Sequence, residues 1–184
     1  MAWRGGLDQF GESYLQEALA KIEELQDLPL TWHFIGPIQS NKTRAIAEHF
    51  DWVHSVERSK IARRLSEHRP ETLPPLKVCL QVNISGERSK SGVSLQDLPG
   101  LASEVLLLPR LQLRGLMAIP APSPDPARQR AAFAALRLAL EQLQSLAPGM
   151  DTLSMGMSDD LEAAIAEGST IVRVGSGIFG PRNR

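Results

Sequence analysis

Most large classes are excluded by what this sequence lacks. Its 184 residues include one cysteine, one tyrosine and only 5% aromatics. A single cysteine, Cys79, rules out an internal disulfide framework and a CxxC redox or zinc motif. Within Val78-Cys79-Leu80 it reads as a small buried hydrophobe and not as a reactive thiol. Four histidines are present, but none falls in a His-Glu-x-x-His or comparable spacing. His49 and His68 read as solvated helix positions, so no metal is expected. A Gly-x-Ser-x-Gly elbow is missing, which removes support for a hydrolase triad. No run approaches the roughly 18 apolar residues of a membrane span. The segment 1–8 lacks the apolar stretch and cleavage site of a signal peptide, so the cytoplasm is the expected compartment. Charge of neither sign prevails: Lys and Arg total 20, Asp and Glu 21, and the net charge is -1. A basic nucleic-acid-binding surface is therefore not expected.

What is present is alternation. A 42% hydrophobic content without low-complexity tracts suits one compact domain over 1–184. Extended runs occur at 8–10, 31–35, 52–56, 76–83, 111–119, 152–155 and 171–174. Helical patterns lie between them. Leu15, Leu19, Ile22 and Leu25 share a face behind a capping-box spacing at Ser13 to Gln16. Phe133, Leu136, Leu140 and Leu143 form a longer stripe, and Leu161 with Ile165 a short one stopped by Gly168.

Strand and helix in turn predict a parallel sheet with helical crossovers. An α/β (β/α)8 barrel of the TIM type fits best, because no strand pair reads as a hairpin. An open doubly wound sheet is the alternative, weakened by the absence of a Gly-x-Gly-x-x-Gly turn. Complete barrels run to about 250 residues, or about 200 at the small end. The chain opens on what reads as the tail of a helix. The expectation is an N-terminally truncated barrel missing its first βα unit, with two strand edges open.

Barrels gather function at the carboxyl ends of their strands, and the loops after the last two often hold phosphate. Those loops are Ser154-Met155-Gly156-Met157-Ser158-Asp159-Asp160 and Ile171-Val172-Arg173-Val174-Gly175-Ser176-Gly177. Gly175 and Gly177 let backbone N–H groups approach an anion. A helix starting near Ser158 would offer more, although Ser158 or Asp159 also reads as an ordinary N-cap. Arg173 within an apolar strand needs a partner. A buried ion pair, with Glu12 for instance, competes with a donor aimed at a ligand ring nitrogen or acid. His33 and Asn83 add polar groups at other strand ends.

The segments Phe10 to Glu17, Trp32 to Lys42, Gln81-Val82-Asn83, Ser89-Lys90-Ser91-Gly92 and Gly115 to Ile119 resemble the pyridoxal phosphate homeostasis protein family. Leu153 to Ser158 and Val172 to Gly180 complete the match, which covers essentially the whole chain. The resemblance implies a single-domain barrel related to the N-terminal domain of bacterial alanine racemases. It implies binding of pyridoxal 5′-phosphate (PLP) without established turnover, and a role in buffering or delivering the cofactor, with PLP-dependent apoenzymes as partners. By that resemblance Met157, Ser158, Gly175 and Ser176 contact the phosphate and Arg173 faces the pyridine nitrogen.

Two departures stand out. Ser13 occupies a place where the family usually has asparagine. Family members also hold PLP as a Schiff base on a lysine at the end of the first strand, and that strand is not in this sequence. Of the five lysines, Lys21 and Lys60 read as helical and Lys77 as lying at the wrong end of its strand. Only Lys42 and Lys90 fall on loops at the correct end, where a solvated, protonated lysine is a poor imine former. The alternatives are a racemase-like enzyme of the same barrel type and a shortened barrel that no longer binds PLP covalently. The first is opposed by the single tyrosine, Tyr14, and by the absence of a second β domain.

Overall fold

The computed structural model describes residues 2–87 and 91–180. Six parallel strands pair strictly in chain order: β1 (Gln9–Glu12), β2 (Thr31–Phe34), β3 (Trp52–Val56), β4 (Leu76–Gln81), β5 (Leu111–Met117) and β6 (Thr152–Ser154). Helices α1 (Leu15–Glu24), α2 (Thr43–His49), α3 (Ser59–His68), α4 (Leu98–Leu106) and α5 (Pro126–Leu143) supply the crossovers, and α6 (Leu161–Ala166) and α7 (Ser176–Phe179) follow β6.

Strand alternation divides the side chains into two sets. Trp32, Phe34, Val53, Leu76, Val78, Leu80, Leu113, Leu116 and Leu153 pack with the helices in the main core. Trp52, Cys79 and Met117 form a second cluster on the opposite, inner face, with Ile171 against it. Cys79 is fully buried there, and burial pushes its thiol up to about 12, so it is inert packing.

One contact measures the curvature. His54 on β3 and Ser154 on β6 have β4 and β5 between them, yet His54 Nδ1 lies 2.7 Å from Ser154 Oγ. In a flat sheet three strand spacings would separate them by roughly 14 Å. The sheet therefore curls around its inner face as part of a barrel wall. Among the described residues β1 and β6 do not pair, so the wall is open.

The structure corrects several local expectations. The run 171–174 is not a strand: Ile171 makes one bridge to Ser154, and the chain then follows the end of β6 through Arg173 N–H to Gly156 O at 2.9 Å. Tyr14, not Ser13, is the N-cap of α1, and its side chain makes no cap bond. Helix α6 starts at Leu161 with Asp160 at the N-cap, so neither Ser158 nor Asp159 caps it, and Ile165 points outward at 57% exposure. His68 is half-buried, with Nδ1 3.1 Å from Thr43 Oγ1, whereas His49 is exposed as expected.

Candidate functional site

Two loops meet beyond the end of β6. The first turns at Gly156, whose φ of +94 is the left-handed region, and an added Cβ would stand 2.5 Å from Ala164 Cβ. Its Met157 N–H donates to Asp160 Oδ1 at 2.6 Å, which makes a tight side-chain-to-backbone turn. The second loop runs from Val174 into α7. Ser176 Oγ donates to Ser158 Oγ at 3.2 Å, which ties the two loops together. The amide N–H groups of Ser158, Gly175, Ser176 and Gly177 have no acceptor among the described residues. Two hydroxyls and these amides thus form a set of donors where the two loops meet.

Arg173 lies at most about 7 Å from Gly175 along the chain, two extended residues away. Its Nη1 donates to Ser154 O at 2.7 Å and to Ser154 Oγ at 2.6 Å, and its Nη2 to Ala118 O at 2.9 Å. The partner is a set of neutral oxygens, not Glu12, which binds Lys21 at 2.6 Å instead. Burial lowers the guanidinium to about 10, which leaves it cationic at neutral pH. Three of the five N–H donors of an arginine are used in this way, and Nε–H and one Nη2–H remain.

Behind Arg173 the polar chain continues inward. Ser154 Oγ reaches His54 Nδ1, and His54 Nε2 lies 2.9 Å from His33 Nδ1. His33 stacks on Trp52 with centroids 5.5 Å apart, and its buried Nε2 has no partner. Burial is the main cause that lowers His33 to about 4 and His54 to about 3, so both rings are neutral at neutral pH.

The predicted residues Met157, Ser158, Arg173, Gly175 and Ser176 therefore come together, and His33 joins them through intermediaries. Asn83 belongs to the loop after β4, where its N–H donates to Val93 O at 2.9 Å and its Nδ2 to Glu87 O at 2.8 Å. Lys90, a candidate for an imine, lies outside the described residues. Lys42 is half-buried in the turn before α2, and Lys77 places its ammonium 5.3 Å over the Trp52 ring. Sequence reasoning missed His54, and it placed Ser154 and Asp160 in the candidate loop without reading a role for either. The available signal was parity, since His54 and Ser154 are polar side chains on the inner positions of strands.

The family model for the N-terminal domain of alanine racemase matches residues 1–183. A pyridoxal phosphate homeostasis protein of Pseudomonas aeruginosa is 68% identical over 182 residues, covering 99% of this chain and 78% of the relative. The chain belongs to the pyridoxal phosphate homeostasis protein family. A member from Escherichia coli is 55% identical, over 97% of this chain and 77% of its own. PipY of Synechococcus elongatus has been solved with PLP bound; it is 42% identical, with a TM-score of 0.88 over 97% of this chain and 84% of that one. Alanine racemase of Corynebacterium glutamicum, at 22% identity and a TM-score of 0.67, shares the fold across 91% of this chain and 46% of its own.

Proposed function

We propose that this chain binds PLP and takes part in its homeostasis as a carrier without turnover. The observation that carries this reading is the donor set joining the two loops, because a phosphate monoester is a small dianion that needs several convergent N–H and O–H groups. The amides of Ser158, Gly175, Ser176 and Gly177 and the hydroxyls of Ser158 and Ser176 would hold the phosphate. Met157 would contribute its side chain, since its amide is committed to Asp160. The remaining Arg173 N–H groups would meet the ring nitrogen. Asn83 would face the cofactor from the loop after β4, and His33 would stand behind Arg173.

When bound, PLP supplies an aldehyde and an electron-withdrawing ring. An arginine only donates, so the ring nitrogen beside it stays an acceptor and the ring a weaker electron sink than one paired with a carboxylate. That favours holding over carbanion chemistry, as does the homeostasis name of the relatives. The exposed Tyr14 at the N-cap of α1 is a poor substitute for a buried base. PLP-dependent apoenzymes are the proposed recipients.

The cradle requires no lysine. Titration with PLP, followed by absorbance and by equilibrium dialysis, should show saturable binding that dialyses away. Borohydride should fix little of it to peptides containing Lys42 or Lys90. Ser176→Asp, which places an anion in the cradle, should weaken binding about tenfold or more. Binding that ignores Ser176→Asp would overturn the reading.

A further inference from the structure

We infer that Ser154 and His54 are positioning residues that lock the Arg173 guanidinium through a chain of hydrogen bonds running in one direction. The PLP reading enters only in what Arg173 then meets.

The direction follows from counting protons. Arg173 can only donate, so at 2.6 Å it occupies a lone pair of Ser154 Oγ. The hydroxyl has one proton of its own, and His54 Nδ1 at 2.7 Å is its only other neighbour among the described residues. If Ser154 donates to Nδ1, His54 bears its proton on Nε2 and donates to His33 Nδ1 at 2.9 Å. His33 then bears its proton on Nε2, the buried atom without a partner. One polar group is left over. With both tautomers reversed, His54 Nδ1–H donates to Ser154, the hydroxyl proton has no acceptor and His33 Nε2 becomes an unpaired acceptor. Two buried groups are then left over, and each such group costs its full desolvation penalty. The first arrangement wins.

The consequence lies at Arg173. A guanidinium is planar, and three bonds to Ser154 O, Ser154 Oγ and Ala118 O fix both its position and its plane. Its unused N–H donors are therefore presented in one orientation before any ligand arrives. Such a fixed donor favours a ring that offers a lone pair and rejects one that carries a proton there. His54 acts at a distance by keeping the Ser154 proton turned away from Arg173.

Two measurements decide the matter. In the ligand-free chain, nitrogen-15 spectra should show His33 and His54 as Nε2–H tautomers, and slow rotation of the Arg173 Nη groups that becomes fast in Ser154→Ala. With ligand, Ser154→Ala and His54→Leu should weaken PLP about tenfold, a loss of ~1.4 kcal/mol. They should leave unchanged the affinity for the analogue with C–H in place of the ring nitrogen. His54→Asn, which keeps an acceptor for the Ser154 proton, should restore PLP binding. A proton on Nδ1 of either ring, equal rotation in the two proteins, equal losses for both ligands, or no rescue by asparagine would each overturn the inference. If His54→Leu does not fold, Ser154→Ala and the tautomers decide. Wild type that takes up neither ligand would defeat the PLP reading, while the spectra would still decide the lock.

Discussion

A Cβ built on Gly36 would overlap the carbonyl oxygen of Ser13, and one on Gly115 that of Thr152. Neither glycine has the positive φ that usually explains the residue, so contact is the cause: backbones pass there without room for a methyl group. Gly115→Ala must push β5 from β6 or bend both, and should cost about 1–3 kcal/mol, read from the midpoint of urea unfolding. These glycines lie inside the short segments that carry the family resemblance. Arg173 was legible as a charge in an apolar run. Its partners were not, because bonds to Ser154 and Ala118 link positions 19 and 55 residues away. Side-chain parity gives the face of the sheet and not the residue met across it.

Six of the seven extended runs are strands, and the miss is instructive. Apolar alternation over 171–174 correctly indicates an extended chain, yet a strand also needs a ladder, and this segment makes a single bridge. Helix α6 starts later than its capping chemistry indicates, for a related reason. Ser158 and Asp159 have capping chemistry, but the Met157 N–H takes the Asp160 carboxylate and delays the helix to Leu161. The carboxyl end of α2 depends on a residue that no pattern suggested. Arg69, 4% exposed, donates through Nη1 to Ala47 O at 2.6 Å and Phe50 O at 2.8 Å, and through Nε to Pro74 O at 2.8 Å. It satisfies carbonyls that a helix leaves open at its end. Arg69→Met keeps much of the volume and removes those donors. It should destabilise the protein by about 1–3 kcal/mol and speed hydrogen exchange in α2 ahead of β4.

The molecule as a whole is a curled, open wall of parallel strands, where the sequence suggested a barrel lacking one unit. Six of the seven expected strands and the curl of a shortened barrel were readable from the alternation; the contact across the inner face between His54 and Ser154 was not. The same interior sets a dependence on pH. An unfolded histidine takes a proton near 6.5, while His33 and His54 in the folded chain resist protonation until about 4 and 3. Between those limits the unfolded state binds more protons, so stability is full above about pH 6.5 and falls as the pH drops toward 4. Urea midpoints should decline over that window, and His54→Asn should flatten the decline.

Because every described strand after β1 pairs with the one before it, the wall has a consequence for how it is made. Each βα unit finds its neighbour already in place as the chain leaves the ribosome, so no early strand waits for a late one. The loops that meet beyond β6 come last, and the contact of Ser176 with Ser158 forms only when synthesis has passed Gly177.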